Sequence, residues 1–267
     1  MTNCPLAWIA TLLCTGIPLL TGAAGGGELR VMTSGAFTAA HLELSPQFGR
    51  AAKVIIITAT TTMGSGADSI PSRLQRGEPA DVVIVEDSAL NALIKDGRVI
   101  DGSRVPLARS AIGMAVRAGA PKPDISSVDA LKRTLLEAKS IAYSASVSGR
   151  YLTTELLQRL GIADQVMGKS RKIEGERVGA VVARGEAEIG FQQISELLPV
   201  PGIDYVGPLP PEVQRISVFS AGVAASSKDA KTANAFIRFL ASPEAAGAIA
   251  KSGMEPIAPY QAPSRKK

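Results

Sequence analysis

Histidine occurs once in this sequence, at His41, and both cysteines, Cys4 and Cys14, lie in an apolar stretch near the start. With that stretch removed on export, no thiol remains. Disulfides, thiolate metal sites and a cysteine nucleophile are then excluded. A poly-histidine metal site is excluded too, and Ser-His-Asp chemistry would have to pass through His41. No metal and no cofactor are expected. Aromatic residues make up only 4% of the chain, and the basic residues are scattered apart from a tail at 264–267. A nucleic-acid groove needs a clustered basic stripe and stacking platforms, so nucleic acid is not an expected partner. No solenoid-like repeat is visible.

What is present suits a soluble globular protein: 267 residues, 46% hydrophobic and 20% charged, enough for one large domain or two small ones. The net charge of +5 is modest and compatible with a small acidic ligand. Leu6 to Leu20 is apolar, broken by Pro18 and short for a membrane span, and small residues follow it. Residues 1–24 are therefore expected to be a signal peptide, leaving a periplasmic chain without a membrane span. The usual positive start is missing, since no lysine or arginine precedes the apolar run. Cys14 follows Leu12-Leu13 rather than a small residue, which argues against lipid attachment.

The mature chain alternates strands with helices. Glu28 to Thr33 reads as a strand, and Ser34-Gly35 turns it into a helix carrying His41, Leu44 and Phe48. Lys53 to Thr58 is β-branched and reads as a buried strand. A Ser65-Gly66 turn follows, then a helix with Pro71 in its first turn and Arg73 on its flank. Val82 to Val85 is a continuous apolar strand, and Gly97 caps the short helix after it. Such continuous runs predict a parallel sheet covered on both faces.

The most informative stretch is 140–160. A short strand ends in Ser144, and Ser146, Ser148, Gly149, Arg150 and Tyr151 lead into a helix with Leu152, Leu156, Leu157 and Leu160 at helical spacing. The N–H groups of a helix's first turn are unpaired, and the macrodipole leaves positive charge there, so such a junction binds anions. Hydroxyls add neutral donors, and Arg150 can pair with a carboxylate. A fourth junction runs through Gln192-Gln193-Ile-Ser195. In open α/β folds, ligands sit beyond the carboxyl ends of strands, so the four junctions predict one anion held in a cleft.

Three segments carry a family resemblance: Glu28-Leu-Arg-Val-Met-Thr-Ser34, Gly77-Glu-Pro-Ala-Asp-Val-Val-Ile84 and Ile189-Gly-Phe-Gln-Gln-Ile-Ser-Glu-Leu197. With them the chain resembles the molybdate-binding branch of the periplasmic solute-binding proteins. The resemblance implies a type II periplasmic-binding-protein fold: two α/β lobes joined by two crossover segments, near Ala111–Val116 and Ser217–Ala224, with a ligand cleft between. Lobe 1 would comprise residues 28–112 and 218–262, and lobe 2 residues 113–217. Ser34 and Ser65 match the oxyanion-binding serines. Gln193 departs from the pattern, because the molybdate binders carry tyrosine there, and the Ser-rich 144–148 stretch departs as well. With Ser34-Gly-Ala-Phe-Thr-Ala-Ala40, Ile70-Pro-Ser-Arg-Leu-x-Arg-Gly-Glu-Pro-Ala-Asp-Val-Val-Ile84 and Ala142-Tyr-Ser-x-Ser-x-Ser-Gly149, the chain is also similar to a side branch that includes the periplasmic aconitate isomerases.

Two function classes follow. An isomerase of that branch would bind a tricarboxylate through Ser34, Gly35, Ser65, Gly66, Arg73, Ser144, Ser146, Ser148, Gly149, Arg150 and Gln193, with His41 or Tyr151 moving the proton. A receptor for a small anion, either a carboxylate or a molybdate-like oxyanion, would use the same donors, need no base and deliver to an ABC permease. A monomer is expected in either case.

Overall fold

The computed structural model describes residues 27–59, 61 and 66–257. The expected signal peptide, Ser65 and the basic tail lie outside them. In chain order the strands are β1 (Glu28–Thr33), β2 (Ile55–Ala59), β3 (Val82–Glu86), β4 (Val105–Ser110), β5 (Ile112–Arg117), β6 (Ile141–Ser144), β7 (Ser170–Ile173), β8 (Ile189–Gln193), β9 (Ile203–Pro208), β10 (Ser217–Val223) and β11 (Glu255–Pro256). They form two sheets, ordered β11-β4-β10-β3-β1-β2 and β7-β6-β8-β5-β9.

Helices cover both faces of each sheet. α1 (Gly35–Ala52), α2 (Ile70–Gln75) and α3 (Asp87–Lys95) border the cleft from the first sheet; on the second sheet α4 (Val128–Glu137) packs into the core and α5 (Val147–Tyr151) borders the cleft. In the first sheet Leu29, Val31, Val82 and Ile84 pack with Phe37, Leu44 and Phe236. Their neighbours Met32, Val83 and Val85 face the other way, onto Ile70, Leu74 and Leu90. In the second sheet Ile112, Met114 and Phe191 meet Leu131, Leu135, Leu156 and Leu157, while Ala142 faces Val178, Val181 and Val182. Each such aliphatic or aromatic side chain contributes about 1.5–3 kcal/mol on full burial.

The sheets are mixed rather than parallel. β1 pairs parallel with β2 and β3, and β6 with β7 and β8. β10 runs antiparallel between β3 and β4, and β5 runs antiparallel between β8 and β9. A continuous apolar run reports burial on both faces, not strand direction, which is why the sequence pattern implied parallel pairing. The segments expected as crossovers are these two antiparallel strands. The chain passes from one sheet to the other at Ala111, between β4 and β5, and returns through residues 209–216.

Two sequence expectations shift in detail. α1 continues through Pro46 and closes at Lys53 in the left-handed region, with φ 56°. β4, β7, β9 and β11 were not anticipated, because their short runs carry proline, glycine or charge. Among the described residues no helix is long and apolar enough to cross a membrane.

Candidate functional site

A cavity of about 400 Å³ opens between the two sheets, where the strand-to-helix junctions meet. Each junction contributes something different.

The start of α1 supplies Ser34, Gly35 and Ala36. Ser34 sits at the N-cap in extended conformation (φ −67°, ψ 157°), but its hydroxyl caps nothing. That Oγ is buried without a hydrogen-bond partner, while the Ser34 N–H is spent on the Ile84 carbonyl at 2.8 Å. An uncommitted hydroxyl beside first-turn amides is the chemistry of an oxyanion or carboxylate site.

The start of α2 supplies Ser69 and Ser72. Ser69 caps α2 by accepting from the Ser72 N–H at 3.4 Å, and its hydroxyl donates to the Ser72 Oγ at 3.0 Å. The sequence reading placed this junction at Ser65-Gly66. Gly66 is exposed, its carbonyl accepts from the Ser69 N–H at 2.9 Å, and it does not border the cavity. Pro71, at the second helical position, was the signal that Ser69 is the N-cap.

From the second sheet come Ser146, Val147 and Arg150. The three serines separate here. Ser144 and Ser148 are buried, and their hydroxyls hydrogen-bond each other at 2.9 Å. Only Ser146 lines the cavity, its Oγ 2.7 Å from that of Ser144, so the inner pair holds the outer one in place. Arg150 is exposed at the cavity wall and has no carboxylate partner among the described residues. Gly149 faces inward, not toward the cavity: a Cβ there would lie 1.7 Å from the Ser144 carbonyl oxygen. Its role is to let α5 close onto β6.

β8 ends at Gln193, whose Nε2 donates to the Ser217 Oγ at 3.2 Å and so ties the second sheet to the first. Its Oε1 is buried without a partner. One turn on, in the short helix Ile194–Leu197, Glu196 lines the cavity while only 1% exposed. Its Oε1 has no partner. Burial pushes the carboxyl up to about 8, with Arg177 and the Gln192 amide pulling it part of the way back. Sequence reading passed over Glu196, because nothing in the local pattern shows that this carboxyl is enclosed. Glu86 lines the opposite wall and was missed likewise.

Three more expected site residues stand away from the cavity. His41 is fully buried, with Nε2 at 2.7 Å from the Thr58 Oγ1, Nδ1 at 3.0 Å from the Ser45 Oγ and Phe236 packed edge-on at 6.0 Å. Tyr151 belongs to the second-sheet core, its hydroxyl donated to the Val213 carbonyl at 2.7 Å. Arg73 forms an ion pair with Glu78, its Nε 2.7 Å from Oε2, and does not line the cavity. Helical spacing had put these groups on the right elements without revealing which way each faces.

His41 should instead show in acid stability. Burial lowers it to about 4 from an ordinary 6.5. Between those values the unfolded chain binds the extra proton and the folded one does not, so stability falls as pH falls through that window. Thermal melts of wild type and His41→Gln are expected to differ most at neutral pH. The gap should close toward pH 4, because the variant loses the proton-linked slope.

The description "bacterial extracellular solute-binding protein" belongs to the family model that matches residues 29–255. The chain is 46% identical over 254 residues to an aconitate isomerase from a Pseudomonas species, covering 95% of this chain and 97% of that one. It is 26% identical to the molybdate-binding protein ModA of Azotobacter vinelandii, over 91% and 95% of the two chains. Among solved structures, the periplasmic molybdate-binding protein of that organism superimposes with a TM-score of 0.65 at 20% identity, covering 87% of this chain and 100% of the other. The substrate-binding domain of a molybdenum ABC transporter from Clostridium difficile gives 0.64 at 18% identity, with the same coverage.

Proposed function

The chain belongs to the bacterial extracellular solute-binding protein family, and from that premise we propose that it is an exported aconitate isomerase working in the cavity between its sheets. The observation that carries this reading is a carboxyl group, Glu196, in the wall of an anion cavity. A receptor needs only donors around its anion, whereas this carboxyl repels the ligand whenever it ionises. An isomerase needs an acid/base group there. The 46% identity to an aconitate isomerase along nearly the whole chain supports the same assignment.

Aconitate carries three carboxylates on a propene skeleton. Its isomers interconvert when a proton leaves the methylene carbon, the electron pair spreads over the allylic system, and a proton returns at the former vinyl carbon. The double bond shifts, and nothing is oxidised or reduced. Arg150, at the cavity wall, can take one carboxylate as a bidentate partner. The Ser34 hydroxyl and the amides that open α1 suit a second. Ser146 and Ser72, the latter steadied by Ser69, supply neutral donors for the third and for charge developing in the carbanion. Export through residues 1–24 to the periplasm, the lobe boundaries at 28–112 with 218–262 and at 113–217, and a monomeric state belong to the same reading.

The alternative is a receptor for a small anion that hands it to an ABC permease. Purified mature protein separates the two. An isomerase changes the absorbance of trans-aconitate steadily toward that of the isomer mixture, and molybdate leaves its melting temperature unmoved. A rise in melting temperature with aconitate or molybdate, and no conversion, makes the chain a receptor.

A further inference from the structure

We infer that Glu196 is the single proton carrier of the reaction, taking the methylene proton and returning it to the vinyl carbon from the same carboxyl oxygen; the inference rests on the isomerase reading above. Elimination is the first argument. His41 has both ring nitrogens occupied, by Ser45 and Thr58, and is buried away from the cavity. The Tyr151 hydroxyl is committed to the Val213 carbonyl. Glu86 does border the cavity, but its Oε2 caps α3, accepting from the Ser88 N–H at 3.0 Å and from the Ser88 hydroxyl. Ser34 has a free hydroxyl, and among the described residues no base is hydrogen-bonded to it. Among the described residues, Glu196 alone combines a place in the cavity wall with near-complete burial and a carboxyl Oε1 without a hydrogen-bond partner.

Chemistry is the second argument. The methylene and vinyl carbons of aconitate flank the same central carbon, so one group above the allylic plane reaches both. In its ionised form Glu196 accepts the methylene proton, and the C–H electron pair enters the allylic system. The carboxylic acid so formed then donates that proton, or a deuteron exchanged into it from solvent, to the far carbon as the double bond moves. The group ends in its starting state, and no co-reactant is required. A carrier must exchange protons with carbon in both directions, which favours a carboxyl whose ionised and neutral forms are close in energy near neutral pH. Its enclosure provides that condition. The charged groups around it are Arg177, with Arg150 and Glu86 lining the same cavity. α1 also packs on the short helix that bears Glu196, and the one buried titratable group of α1, His41, is held neutral.

Wild type and Glu196→Gln are compared for isomerisation of trans-aconitate, for deuterium uptake into aconitate in deuterium oxide, and for the shift of melting temperature that aconitate produces. The expected result is a loss of about 10²–10⁴-fold in both turnover and exchange, with aconitate still raising the variant's melting temperature. The wild-type rate is expected to rise with pH toward 8, a limb that the variant lacks. Glutamine is isosteric, and a melting temperature at pH 8 no lower than wild type shows that the variant folds. A variant within tenfold of wild type in turnover and exchange overturns the inference while leaving the isomerase intact. If wild type itself neither isomerises nor exchanges aconitate, the functional reading fails and the inference falls with it.

Discussion

Alanine at Gly149 is expected to lower the melting temperature by roughly 6–12 °C and to abolish turnover in whatever protein still folds. The added Cβ would sit 1.7 Å from the Ser144 carbonyl oxygen, 2.8 Å from its carbon and 2.8 Å from the Tyr143 ring. Two of these contacts are backbone, so no side chain can swing aside. Relief requires α5 to move off β6, and overpacking of this kind costs about 3 kcal/mol at the upper end of what cores show. The same movement carries Ser146 and Arg150 away from the cavity, because both belong to the turn and helix that Gly149 seats. Gly247→Ala is the matched control. Nothing lies within 4 Å of a Cβ there, and Gly247 sits inside the helix Pro243–Lys251. Alanine should stabilise that helix by about 0.5–1 kcal/mol, and calorimetry on the pair separates packing from propensity.

Arg150→Ala should act on binding and leave the fold alone. The side chain is exposed, with no carboxylate partner among the described residues, so its removal leaves no buried group unpaired. Stability should stay within about 0.5 kcal/mol of wild type. Loss of a charge-assisted contact to a substrate carboxylate is expected to raise KM about 10- to 150-fold, from the roughly 1.5–3 kcal/mol such a bond contributes. Lysine at this position should recover part of that, since it keeps the charge but cannot make the planar two-bond contact. An unchanged KM in the alanine variant would remove Arg150 from the site.

Glu196 and His41 give opposite pH slopes that can be read apart. Burial raises the Glu196 carboxyl to about 8, so between its ordinary 4.5 and that value the folded chain holds the proton and the unfolded chain does not. Stability therefore falls as pH rises through this window, whereas His41 makes it fall as pH drops below 6.5. In thermal melts, the gain from Glu196→Gln over wild type should grow from pH 5 to pH 8. A constant difference would mean that the carboxyl is not enclosed as described.

Much of the fold was legible because the signals are local. β-branched runs mark the strands, while Ser34, Pro71 and Gly97 mark helix ends, and the order of elements follows from them. Strand direction was not legible: β5 and β10 are as apolar as the parallel strands beside them, and their reversal depends on where the chain crosses between sheets. The site divides the same way. Ser34, Ser146, Arg150 and Gln193 could be read because they sit at junctions, whose chemistry is local. Ser144 and Ser148 differ from Ser146 only in which way the turn points them. The enclosure of Glu196 is set by neighbours distant in the chain, and so is the diversion of His41 and Tyr151 into core hydrogen bonds.

Proton NMR of the purified protein with each aconitate isomer in separate tubes tests the central claim most directly. An isomerase brings both tubes to the same cis-to-trans ratio, approached from opposite sides, and Glu196→Gln slows both approaches alike. If each tube keeps the isomer it started with while aconitate still raises the melting temperature, the cavity binds the anion without transforming it, and the isomerase reading is contradicted.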